Sequence, residues 1–218
     1  MLIGACLAMA LPHLLVGLWQ RRGAHLYFVL AAVAVIGIAV GELAMMRADT
    51  VEQFARAQQR AHLAVFVLTV ALVGYVWLQL GSARRWLALT AIAARFVALL
   101  INFAFPPSLN FREITALRQV RFLGENVSLP IGVFNPWTYL GELSSVLLLV
   151  FVLDASIRSW RHGTAIDRQR AVTIGGSVTI FLLLAAGVAA LTNRQIIEGP
   201  YLVSFPFAAI LAAICNGI

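Results

Sequence analysis

Four ionisable side chains lie inside long apolar runs of this 218-residue chain: Glu42, Arg95, Glu142 and Asp154. A charge in bilayer hydrocarbon costs at least about 2.5 kcal/mol on insertion scales, so each needs a partner or a purpose. Carboxylates beside a guanidinium can hold helix register as an ion pair, or can grip the polar part of a ligand. Helical rise places Glu42 about one turn from the end of its run and Glu142 about one turn from the start of its own. Arg95 falls near the middle of a third run, and Asn102 follows two turns later on the same helix face. His62 opens another run. Glu42, His62, Arg95, Asn102 and Glu142 are therefore the candidate ligand-binding residues, converging on one half of a bundle. A direct or water-bridged contact between Arg95 and Glu42 or Glu142 is expected, because a guanidinium stays charged in any protein environment. Asp154 precedes Arg158 by four residues and is expected to form a surface pair with it.

The elements that must position these groups are membrane spans. The chain is 61% hydrophobic and 11% charged, with a mean hydropathy of +0.91. An ordinary soluble domain carries about 25% charged residues. The basic residues are all arginine, 16 of them with no lysine, for a net charge of +7. They cluster at the ends of apolar runs, which fits lipid headgroups and topology and argues against nucleic acid. About 20 apolar residues cross a bilayer as a helix. Six runs qualify: Leu2 to Gln20, Leu26 to Met46, His62 to Leu80, Trp86 to Phe105, Trp137 to Ile157 and Ala171 to Thr192. A seventh, Tyr201 to Ile218, is short and still apolar where the sequence stops, so a longer protein is expected to continue from it. All five tryptophans fall at run ends, as an aromatic belt requires. The fold expected is all-α, a seven-span bundle. The connections after spans one, three and five are short and arginine-dense, so they are assigned to the cytoplasm, with the N-terminus outside and the C-terminus inside.

One stretch departs from this pattern. Between spans four and five, residues 110–136 alternate and turn. Ile114, Ala116, Arg118, Val120 and Phe122 share a face at period two, Gly124 to Asn126 is turn chemistry, and Val127 to Phe134 can return as a second strand. The expectation is an extracytoplasmic β-hairpin over the mouth of the bundle, with Val120 or Phe122 facing inward.

The same stretch, "LNFREITALRQVRFLGENVSLPIGVFNPW", together with "ELAMMRADT", "LLLVFVLDASIRSWRHG" and "AVTIGGSVTIFLL", resembles the N-terminal membrane region of bacterial PAS-containing sensor histidine kinases. The resemblance implies sensory input across the inner membrane, a stimulus that is an unknown small ligand or membrane-borne molecule, a homodimer, and cytoplasmic PAS and kinase domains as partners. It assigns no catalytic residue. The chain holds no phosphoacceptor histidine segment and no glycine-rich ATP-binding box, so no kinase activity of its own is expected.

Other chemistries fit less well. A retinal Schiff base needs a lysine, and there is none. Bis-histidine haem needs ligands at one depth, whereas His13 and His62 differ and His25 and His162 lie at the other face. No HExxH motif is present. Cys6 and Cys215 sit in apolar runs and read as small core residues. No cofactor or metal is expected. A small-solute transporter or channel-like membrane protein is the alternative, since Pro12 and Gly175-Gly176 interrupt their runs, but no internal repeat supports it.

Overall fold

The computed structural model describes residues 2–194, 196–197 and 199–216. Five long helices come first or flank the hairpin: α1 (Leu2–Trp19), α2 (Gly23–Met46), α3 (Val51–Leu80), α4 (Arg85–Ala104) and α5 (Thr138–His162). A sixth continuous helical segment is built from α6 (Ala165–Arg170), a π-helical turn over Ala171–Gly176, and α7 (Ser177–Asn193). These six are long and apolar enough to cross a membrane. The last element, α8 (Ser204–Asn216), has 13 residues, about 20 Å at 1.5 Å per residue. Those described residues cover less than the ~30 Å hydrocarbon layer. The expected seventh span coincides with this shorter apolar helix, and residues 217–218 of that span lie outside those described. Phe207, Ile210, Leu211 and Ile214 of α8 are buried in the bundle core, so it is an interior element despite its length.

The surface is inverted relative to a soluble protein. Leu7, Leu11, Leu15 and Leu18 of α1 are all more than half exposed in one stripe, whereas Glu42, Gln58, Arg95 and Asn102 are buried. Lipid around the bundle satisfies the former and internal partners satisfy the latter. Helix association in lipid depends on close packing, because the surroundings are as apolar as the helices. One example pairs α2 with α3. A Cβ added to Gly37 would stand 3.0 Å from the Cβ of Ala64, and one added to Gly41 would stand 2.9 Å from that of Ala61. The run "GIAVG" is a small-residue motif with four-residue spacing, and it lets the two backbones approach at the level of Glu42.

α3 begins eleven residues before the expected start. Thr50 accepts from the Gln53 N–H, and the Gln53 side chain accepts from the Asp49 N–H, closing the N-terminus. The helix is 30 residues long, about 45 Å, and projects past the bilayer thickness at the hairpin end. At the opposite end Asp154 meets both Arg158 at 3.7 Å, as expected, and Arg84 at 3.5 Å. Trp19, Trp86 and Trp160 are exposed at this arginine-rich end, and Trp137 is exposed at the hairpin end.

The hairpin forms between β1 (Phe111–Phe122) and β2 (Glu125–Phe134), paired antiparallel. Two details differ from expectation. The turn residues are Leu123 and Gly124, with φ of 50° and 89°, one position earlier than Gly124 to Asn126. Positive φ at both central positions gives the primed turn whose twist suits a two-residue hairpin. The inward face is also different. Register shifts between Phe111 and Glu113 and between Ile114 and Ala116 break the period of two. Phe111 and Ile114 are buried and Leu117 packs behind them, while Ala116 is exposed. These side chains rest on Met45, Ala48 and Phe54 at the α2–α3 corner and on Tyr201. Val120 and Phe122 are only partly buried. The Ser128 hydroxyl donates to the Ala48 carbonyl at 2.6 Å and fastens β2 to the same corner. Leu123 holds a left-handed conformation that costs a branched L-residue about 1–2 kcal/mol. Leu123→Asn should therefore stabilise the protein by about 0.5–1 kcal/mol, read as a higher Tm in detergent, since asparagine tolerates this region. A fall in Tm would show that the exposed Leu123 side chain contributes packing.

Candidate functional site

Beneath the root of the hairpin is a cavity of about 330 Å³, enclosed by α2, α3, α4, α5, α7 and the entry to α8. Its volume is at the small end of the ~300–1,000 Å³ range of small-molecule sites. Four of the five candidate residues line it: Glu42, His62, Arg95 and Glu142. Asn102 does not.

Arg95 is 7% exposed and extends from α4 across the cavity. Its Nη2 lies 3.2 Å from His62 Nδ1. A guanidinium only donates, so Nδ1 accepts and the imidazole carries its proton on Nε2. His62 is thereby a neutral ring. It sits about three turns into α3 rather than at its start, because the helix begins at Val51. That depth matches Arg95. Nη1 of Arg95 lies against Gly141 of α5, where an added Cβ would be 3.5 Å away.

The expected contact between Arg95 and a carboxylate is not made. Glu142 forms an ion pair with Arg194, with Nη1 and Nη2 each 2.8 Å from a carboxylate oxygen. Glu42 accepts from the Ser204 N–H at 3.0 Å through one oxygen and from the Ser204 hydroxyl through the other. Both acids lie near the hairpin end, and each finds a donor in the α7–α8 connection sooner than it could reach Arg95. Among the described residues Arg95 forms no ion pair.

Asn102 is a latch. It is fully buried and donates to the Gln59 carbonyl at 3.1 Å, while the Gln59 side chain donates to the Asn102 carbonyl at 3.2 Å. Its Oδ1 accepts from the Leu109 N–H at 3.0 Å, fixing the segment that enters the hairpin.

The cavity's ceiling is a directed chain of hydrogen bonds. Ser108 donates to Gln58 at 2.6 Å, and Gln58 to the Tyr201 hydroxyl at 3.3 Å. Tyr201 and the Asn110 amide then donate to Asn193 Oδ1, at 2.8 and 3.0 Å. Every step runs from a group with a proton to one with a lone pair, so the network is self-consistent. Burial pushes the Tyr201 phenol above its ordinary range, so it remains a donor. Gln58, Ser108, Asn110, Asn193 and Tyr201 are the site residues that hydropathy missed. Gln58, Ser108, Asn110 and Asn193 lie outside every apolar run, in the early turns of α3, in the entry to the hairpin or at the last residue of α7, and Tyr201 opens the seventh run.

Away from this ceiling the walls are apolar, with Val65, Leu149, Leu182, Ala186 and Phe207. Val146 of α5 and Leu183 of α7 line the cavity and are each 53% exposed, so the wall opens sideways between these two helices. The Glu142–Arg194 pair crosses that opening at its hairpin end.

A second polar cluster lies at the arginine-rich end. His13 and His25 face each other through their Nδ1 atoms at 2.8 Å, and Cys215 Sγ is 3.4 Å from His13 Nε2. His13 is therefore beside His25 and not isolated at mid-depth. No group of three histidine, cysteine or acidic residues among those described is arranged to hold a metal.

Comparison with known proteins finds no match: no protein-family model, no curated protein and no solved structure is similar to this chain.

Proposed function

We propose that these residues form the membrane-embedded input domain of a bacterial sensor histidine kinase, with the cavity under the hairpin as the stimulus site. One observation carries the reading: the cavity wall and the start of α8 are joined by the Glu42–Ser204 hydrogen bonds. Tyr201, Val203 and Phe207, which flank that junction, also line the cavity. A molecule that enters must press on the entry to the last helix. Two packings of α8 would then differ in free energy by the ligand's differential affinity, which is all that a ligand can supply. The hairpin and ceiling face the outside, the arginine-dense connections face the cytoplasm, and α8 begins a seventh crossing that leads to PAS and kinase domains in a homodimer.

The test has two arms. Reporter fusions after Gly23, Ser82 and Gly163 should read cytoplasmic, and fusions between Leu109 and Phe134 periplasmic. In nanodiscs, the protein continuous with its kinase core should autophosphorylate at a rate that Arg95→Leu shifts to one extreme and Arg95→Lys only partly restores, since a point charge does not reproduce a planar fork. The reverse topology, or autophosphorylation indifferent to Arg95→Leu, overturns the reading. Solute flux into proteoliposomes would favour a transporter in its place.

A further inference from the structure

Among the described residues the cavity holds one cation without a counter-ion, Arg95. Arg95 has five N–H donors and one hydrogen-bonding side-chain partner, the neutral His62. Glu142 is already neutralised by Arg194, and both oxygens of Glu42 are occupied by Ser204. A buried charge left in this condition is strongly unfavourable, and an anion or ordered water must meet it. The polar ceiling and Arg95 stand at one end of the space. The other end is apolar, and the side opening between α5 and α7 faces the belt of exposed leucines that lipid covers.

From these features, resting on the cavity being the stimulus site, we infer that the ligand is a single-chain amphiphile with a carboxylate head, of the fatty-acid class. It enters from the bilayer between α5 and α7, and its carboxylate replaces water on Arg95. The planar guanidinium presents two parallel N–H groups to two oxygens, the geometry a carboxylate matches. The hydrocarbon chain lies along Val65, Leu149, Leu182 and Ala186 and leaves past Val146 and Leu183. One guanidinium balances one negative charge, and Glu42, an acidic group that also lines the cavity, supplies no second cation, so a doubly charged phosphate head would be left partly uncompensated.

The protein is placed in nanodiscs of phosphatidylcholine and titrated with radiolabelled palmitate at a pH where the free acid is ionised. Hexadecanol and hexadecyl phosphate, with the same chain, serve as competitors. Palmitate should bind saturably at one per protein and about tenfold or more tighter than either competitor, which corresponds to about 1.4 kcal/mol. Arg95→Leu should erase the preference for palmitate over hexadecanol, and Ala186→Trp, which fills the apolar end and leaves Arg95 in place, should weaken both. Equal binding of palmitate and hexadecanol by the unmodified protein, or no saturable palmitate binding, overturns the inference, and so does a preference that survives Arg95→Leu. Because binding is read without any kinase, its failure removes the ligand class while the autophosphorylation experiment still decides the sensor reading.

Discussion

Glu42→Ala should release the first turn of α8 and lower stability by about 3 kcal/mol, since each buried donor left without its acceptor costs about 1–3 kcal/mol. Glu42 accepts from two such donors, the Ser204 N–H and its hydroxyl. The Ser204 N–H is one of the donors that every helix leaves unsatisfied at its N-terminus. Here the capping carboxylate comes from another helix, where the positive end of the α8 dipole also favours it. Ser204 is 2% exposed, so no bulk water can replace the lost acceptor. Two measurements check this: the Tm in detergent, and amide hydrogen exchange over residues 204–210. Glu42→Gln retains one oxygen acceptor and should show a smaller loss. Unchanged exchange at the start of α8 in Glu42→Ala would mean that α8 is held by its apolar contacts alone and that the cavity is not coupled to it through this bond.

The helical spans were legible because their signal is summed over about 20 residues, and the ends were marked separately by tryptophan and arginine. The start of α3 was not, although its cue was present. "TVEQ" at Thr50 to Gln53 is a capping pattern, and Phe54, Ala55, Gln58 and Ala61 follow at helical spacing to pack on the hairpin and on α2. Hydropathy discounts this segment because Arg56, Arg60, Gln58 and Gln59 make it polar. The segment projects beyond the thickness of a bilayer, so apolarity is the wrong criterion for it. Misplacing that start put His62 at an end, when it lies at the depth of Arg95. The Gly37–Gly41 pair was likewise readable, and it explains why α2 and α3 pack closely enough to bring Glu42 and His62 to one cavity. The hairpin's existence followed from alternation, but its face did not. Register shifts near Phe111 and Ile114 are set by packing on the α2–α3 corner, a tertiary cause that no local pattern carries. The choice of partner for Arg95 was beyond the sequence for a similar reason. Arg194 and Ser204 lie in or beside the α7–α8 connection, and only the folded chain brings that connection over the carboxylates.

Asn102→Leu should destabilise the protein by roughly 3 kcal/mol in the absence of any ligand, because each buried donor or acceptor left unsatisfied costs about 1–3 kcal/mol. The substitution keeps the number and branching of side-chain heavy atoms, so no cavity effect adds to the loss of the hydrogen bonds. Leu109 N–H would lose its buried acceptor and the part-buried Gln59 carbonyl its side-chain donor. The effect should reach the hairpin: amide exchange at Leu109 and at the first residues of β1 should accelerate, while α1 and α8 remain protected. Asn102→Asp keeps the acceptor for Leu109 but buries a charge without a cation paired to it, and should be at least as damaging. If Asn102→Leu left both Tm and Leu109 protection unchanged, the side chain would not be holding the hairpin's root, and a ligand role for it would return. The contrast with Arg95 is physical. Both are buried polar groups on one face of α4, separated by seven residues, and the sequence presents them alike. Asn102 has a donor and its acceptor engaged within the chain and does not line the cavity, which places it in the structural role. Arg95 has donors to spare and no anion among the described residues, and that surplus separates a binding group from a structural one.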